Sequence, residues 1–131
     1  MNINEKLILE AINSRNNAYT PYSNFKVGAA VLTKSGNIYT GCNIENASYT
    51  PTVCAERVAI FKAISSGEKK IKKIAIVGKF DTYTYPCGVC RQVIREFCDD
   101  DFEFIIIKNE KEYKILNLNE ILPYSFGPED L

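Results

Sequence analysis

Cys54, Glu56 and Arg57 fall within four positions of one another in T-V-C-A-E-R-V-A (residues 52–59), and Cys87 and Cys90 form a C-x-x-C pair in P-C-G-V-C-R-Q (residues 86–92). The C-x-x-C spacing lets two thiolates meet one metal ion, and Cys54 supplies a third sulfur, each about 2.3 Å from a zinc ion. A structural zinc closes with four protein ligands, whereas a catalytic one takes three and leaves a place for water. Three ligands therefore favour a catalytic site. A thioredoxin-like redox pair is one alternative, but it leaves Cys54 and Glu56 without a purpose. A closed structural site is another, and it needs Cys42 or Cys98 as the fourth ligand. Cys98 stands at the far end of the predicted second long helix, about 12 Å along the axis from Cys90. Cys42 falls in a predicted strand, where a cysteine more often serves as a small buried hydrophobe.

The chain contains no histidine, so proton transfer must fall to another group. A carboxylate two residues past a zinc-bound cysteine can reach a water at the metal without itself being a ligand, and Glu56 fits that part of general acid and base. The alternative for Glu56 is a glutamate favoured by the helix dipole, which leaves its place on an apolar helix unexplained. Arg57 lies i+3 from Cys54. There a guanidinium can hydrogen-bond a thiolate and offset the net negative charge of a three-thiolate zinc. Pairing with a surface carboxylate is the competing role.

The elements that must hold these residues follow from hydrophobic spacing. Ile3, Leu7, Ile8, Ala11 and Ile12 predict an amphipathic helix over 3–16, and residues 19–24 a loop. Residues 25–33 and 38–43 read as strands around the turn Lys34-Ser35-Gly36-Asn37. Thr50 and Pro51 suit the N-cap and first position of a helix that runs to about Ser66 and stops at Gly67. Its apolar residues leave little polar face, so burial is expected. Residues 71–80 form a third strand. A second buried helix spans Cys87 to about Phe97, with Val89, Val93, Ile94 and Phe97 on one side. Phe102–Lys108 is an apolar strand of the kind covered on both faces. Residues 112–116 give a fifth strand, and 119–122 a last helical turn. Strands alternating with helices after an opening hairpin imply an α/β fold, three layers (α/β/α) around a mixed five-stranded sheet.

At 131 residues the chain is expected to form a single domain, 1–131. Sixteen basic residues balance sixteen acidic ones, so no electrostatic footprint for nucleic acid or an anionic membrane exists. No apolar run reaches the roughly 20 residues that a membrane helix needs. The first residues lack the features of a signal peptide, and the five cysteines are an odd number. Together these favour a reducing, cytoplasmic setting with thiols used for metal rather than disulfides.

Cys54-Ala55-Glu56 followed by Pro86-Cys87-Gly88-Val89-Cys90 resembles the signature of the zinc-dependent cytidine deaminase family, in its small three-cysteine form. Residues 22–30 (Y-S-N-F-K-V-G-A-A), 41–49 (G-C-N-I-E-N-A-S-Y) and 122–131 (L-P-Y-S-F-G-P-E-D-L) carry the likeness along the rest of the chain. Residues 80–85 (F-D-T-Y-T-Y) depart from it, since a serine is expected just before Pro86. The resemblance implies one zinc per chain and hydrolytic deamination of cytidine and 2′-deoxycytidine, with release of ammonia, in pyrimidine salvage. It assigns Glu56 to proton transfer onto N3 and then the amine, Phe25 to the face of the cytosine ring, and Asn43 and Glu45 to the ribose. Asn43 and Glu45, two apart at a predicted strand end, would share a face, which suits vicinal hydroxyls. Ala55 joins the substrate pocket on the same grounds. A homotetramer is implied too, with Ala47, Tyr49 and Phe126 reaching a neighbouring subunit's site. Three rival readings are a deaminase of a cytosine-bearing antibiotic, a non-catalytic zinc-stabilised interaction protein and a nucleic-acid editor. The stretch N-I-E-N-A (43–47) speaks against the first by resembling the nucleoside pocket, and zero net charge speaks against the last.

Overall fold

In the computed structural model, which describes residues 1–131, alternation along three strands sorts the core into two halves. Ala29, Val31, Ile74, Ile76, Phe104 and Ile106 face one way, while Ala30, Leu32, Ala75, Val77, Ile105 and Ile107 face the other. Both sets are buried, as a central sheet layer requires. The strands are β1 (Gly28–Thr33), β2 (Ile38–Cys42), β3 (Ile71–Val77), β4 (Cys98–Ile107) and β5 (Tyr113–Asn117). They lie in the order β2-β1-β3-β4-β5. Only β3 and β4 are parallel; β1–β2, β1–β3 and β4–β5 are antiparallel, so the sheet is mixed as expected.

Helix α1 (Ile3–Ser14) covers one face through Leu7, Ile8 and Ala11. Helices α2 (Ala55–Ser65), α3 (Gly88–Phe97) and the short α4 (Leu118–Ile121) cover the other through Ala55, Ala59, Ile60, Ile94 and Ile121. Two glycines set the spacing of these layers. A Cβ on Gly28 would stand 2.1 Å from the Ala11 carbonyl, and one on Gly41 would stand 2.5 Å from both the Ala55 carbonyl and the Ala59 nitrogen. Gly41 thus lets the first turn of α2 sit directly on β2. Because α2 leads into β3 and α3 leads out of it on the same face, the two helix N-termini meet.

Several expected boundaries move, two of them through long-range backbone pairing. The helix expected from Thr50 begins at Ala55, because Val53 is drawn into an antiparallel bridge with Ile44 (N–H···O 3.0 Å in both directions). Cys98 does not end α3 in helical geometry; it opens β4 with extended backbone (φ −114°, ψ 160°) and pairs with Ile71. β1 starts at Gly28 rather than Phe25, and β3 ends at Val77 rather than Phe80. Neither long helix is wholly covered: Phe61 on α2 and Val89 on α3 are exposed.

Candidate active site

Cys54 and Cys87 occupy equivalent places, each the N-cap of a helix with extended backbone: φ −76°, ψ 155° before α2 and φ −67°, ψ 165° before α3. The Cys87 sulfur accepts the backbone N–H of Cys90 at 3.4 Å. The N-terminal N–H groups and the dipoles of two helices therefore converge on the thiols. The Cys54 and Cys87 sulfurs are 3.6 Å apart, and all three sulfurs lie within 4.8 Å of one another. Tetrahedral zinc with bonds of about 2.3 Å asks for sulfur separations of about 3.8 Å. Cys54, Cys87 and Cys90 are positioned to bind one zinc ion. Cys42 and Cys98 lie outside this cluster as free cysteines, and burial pushes both thiols up, Cys98 to about 11.

Cys54 is held as thiolate, down to about 5. Hydrogen bonding with Cys90 is the main cause, opposed by burial and supported by Arg57 and Cys87. Cys90 moves the other way, chiefly through its hydrogen bonding with Cys54 and then its burial, and keeps its proton. Arg57 donates from Nη2 to the Cys54 sulfur at 3.5 Å, and its Nε is buried without a protein acceptor.

Glu56 follows Cys54 by two residues, in the first turn of α2, and is 3% exposed. No cation lies within salt-bridge distance of its carboxylate. Burial above all pushes its carboxyl up to about 7, and the Cys54 charge adds to this against its own backbone N–H, Cys90 and Arg57. A carboxyl that titrates near neutrality beside a metal site can both take and return a proton.

The other sequence candidates are more dispersed. Ala55 is buried at the first position of α2. Asn43 and Glu45 lie beyond the end of β2, not within a strand, and each grips the segment that carries Phe25. Asn43 accepts from the Val27 N–H at 2.9 Å and donates to the Phe25 carbonyl at 2.8 Å. Glu45 accepts from the Tyr22 and Ser23 N–H groups at 2.9 and 3.1 Å and from the Ser23 hydroxyl, and these bonds, the hydroxyl first, hold its carboxyl below the usual range. Glu45 and Tyr49 line one hollow of about 360 Å³ with Tyr22, Ser23, Asn46 and Thr52. Phe25 lines another, of about 740 Å³. Ala47 is exposed between Glu45 and Tyr49, and Phe126 sits apart, its carbonyl accepting from Gln92 at 2.9 Å. Sequence reasoning missed Ser23. Its place two before Phe25 was the available signal, since a serine there can bond the chain around it.

Residues 1–106 match the family described as the cytidine and deoxycytidylate deaminase zinc-binding region. The chain belongs to this family. Among curated cytidine deaminases it is 46% identical to that of Sporosarcina psychrophila, over 97% of this chain and 93% of the relative. It is 45% identical to that of Halalkalibacterium halodurans, over 97% and 96%. The crystal structure of cytidine deaminase from Burkholderia pseudomallei superposes with a TM-score of 0.88 at 40% identity, covering 96% of this chain and all of that one. Family membership agrees with the three-sulfur site and with the mixed five-stranded sheet.

Proposed function

We propose that the protein catalyses the hydrolytic deamination of cytidine and 2′-deoxycytidine to the uridine forms, releasing ammonia, as a cytoplasmic enzyme of pyrimidine salvage. The observation that carries the reading is the Glu56 carboxyl, buried without an ion-pair partner beside the three-thiol cluster. Cytidine deaminases of similar length and high identity support it.

When bound, zinc supplies a Lewis acid that makes water nucleophilic at neutral pH. Glu56 accepts one proton of the attacking water and delivers it to ring N3, then takes the second from the oxygen newly bonded to C4 and passes it to the departing amine. A pKa near 7 makes both directions accessible to one group. The new C4–O bond and the broken C4–N bond balance as nucleoside plus water giving uridine and ammonia. Arg57 moderates the charge on sulfur. Phe25 lies against the cytosine face beside Ala55, and Asn43 and Glu45, already fixed by the Tyr22–Val27 backbone, spend their remaining hydrogen-bonding capacity on the ribose. The residues 1–131 act as one domain, and four copies assemble so that Ala47, Tyr49 and Phe126 complete a neighbour's pocket. Tyr49 and Phe126 are exposed on the single chain, as are Tyr22 and Val89, which gives such an assembly apolar surface to bury.

The test is the fall in ultraviolet absorbance of cytidine, and of 2′-deoxycytidine in parallel, with purified protein before and after zinc chelation, alongside an ammonia assay and light scattering. Turnover that stops with chelation and returns with zinc is expected, at the mass of a tetramer. Absence of turnover with both nucleosides in the zinc-loaded protein would refute the reading.

A further inference from the structure

Of residues 123–131 only Gly127 is buried, while Tyr124 and Phe126 stand exposed. So little burial would leave a tail loose, yet this one is tied down by a single helix. From α3, Arg91 anchors the end of α4 just before the tail, donating to the Ile121 carbonyl at 2.6 Å, and also bonds the Pro86 carbonyl at 2.7 Å. Gln92 donates to the Phe126 carbonyl at 2.9 Å. Arg95 donates from Nε to the Ser125 hydroxyl at 2.9 Å and pairs through Nη2 with Glu129. Its guanidinium lies so close to the Gly127 backbone that a Cβ there would come within 2.4–2.6 Å of it. Arg95 is itself largely covered, its side chain 17% exposed. The same ten-residue helix has Cys87 as its N-cap and Cys90 in its first turn.

We infer that Arg95, supported by Arg91 and Gln92, is a positioning residue that locks the tail onto the helix of Cys87 and Cys90, so that Phe126 is held in a fixed relation to the metal site. This rests on the reading above, in which Phe126 meets the nucleoside of a neighbouring copy. An untethered tail would have to be ordered each time substrate bound, whereas a docked one presents its aromatic ring already in place. The loss on undocking therefore falls on substrate affinity, not on the chemical step.

Three variants of the zinc-loaded enzyme test this. Arg95→Met removes the donors, Arg95→Lys keeps the charge, and Gly127→Ala pushes the guanidinium aside with every other side chain retained. Amide exchange over residues 122–130 should quicken at least about tenfold in Arg95→Met and Gly127→Ala. KM for cytidine should rise about tenfold, comparable to one lost charge-assisted bond, with kcat within about twofold and one zinc per chain. Arg95→Lys should recover part of the KM. On a Phe126→Ala background Arg95→Met should add nothing further, since both act through one ring. A Phe126→Ala enzyme with raised KM beside Arg95→Met and Gly127→Ala enzymes with normal KM would overturn the positioning role. An unchanged KM in Phe126→Ala would instead overturn the nucleoside contact itself, and the exchange rates would then decide alone whether α3 holds the tail. Zinc loss or a collapse of kcat in the Arg95 variants would mark Arg95 as metal scaffold and also overturn the inference.

Discussion

Replacing Glu56 with glutamine is expected to stabilise the zinc-free protein while destroying turnover. The carboxyl is 3% exposed, has no cation within salt-bridge distance, and titrates at about 7 rather than 4.5, with burial as the first cause. A raised acid pKa means that the folded chain binds the proton more tightly than the unfolded one. Stability is then full below pH 4.5, falls between pH 4.5 and 7, and stays low above 7. At about 1.4 kcal/mol for each tenfold step, the deficit above neutrality comes to about 3 kcal/mol. Glutamine keeps the shape and carries no charge, so Glu56→Gln should escape that deficit. For a chain of this size the gain corresponds to a rise in melting temperature on the order of 10 °C at pH 8, shrinking to nothing near pH 4. The assay is thermal unfolding of both proteins with chelator and reductant across pH 4–9, next to cytidine turnover of the zinc-loaded forms, where loss of several orders of magnitude is expected. A variant no more stable than the parent at pH 8 would show that the carboxylate has a compensating partner, and the argument from burial would fail.

The cysteines should separate by reactivity. In zinc-free protein at pH 7, Cys54 is alkylated ahead of Cys42 and Cys98, since its thiol is held near 5 and theirs are pushed up; mass mapping reads the order, and bound zinc should protect Cys54, Cys87 and Cys90 together. Metal analysis should find one zinc per chain, retained in Cys42→Ser and Cys98→Ser and lost in Cys54→Ser. Arg57→Gln removes the donor 3.5 Å from the Cys54 sulfur, so turnover should fall and its pH–rate profile move to higher pH with zinc still bound. An unchanged profile with greatly weakened nucleoside binding would instead place Arg57 in the substrate pocket.

The three-thiol cluster was legible because its signal is local: two helix starts and three cysteines at fixed spacing. The layered fold was legible for a related reason, since β1, β3 and β4 carry runs of apolar residues that supply both faces of a doubly covered sheet. Long-range pairings were not. Thr50-Pro51 is a sound helix start by local rules, but the bridge of Val53 to Ile44 holds residues 52–53 extended and delays α2 to Ala55. Asn43 and Glu45 were read by strand periodicity, although both lie past β2 and their side chains bond residues about 20 positions earlier in the chain. The docking of the tail on Arg91, Gln92 and Arg95 was likewise out of reach, because nothing in the local sequence says which partner an exposed helix face will find.

The two N-caps that present Cys54 and Cys87 stand 33 positions apart in the chain but 3.6 Å apart in space. An ion shared between them is also a cross-link, closing a loop that contains all of α2 and β3. By the loop-entropy relation for such a tie, it removes about 4 kcal/mol of freedom from the unfolded chain. The catalytic metal thus doubles as a staple between two helices. Chelation then takes away a reagent and a tether in one act, and the melting temperature should fall when zinc is removed even in Glu56→Gln, which has no turnover left to lose.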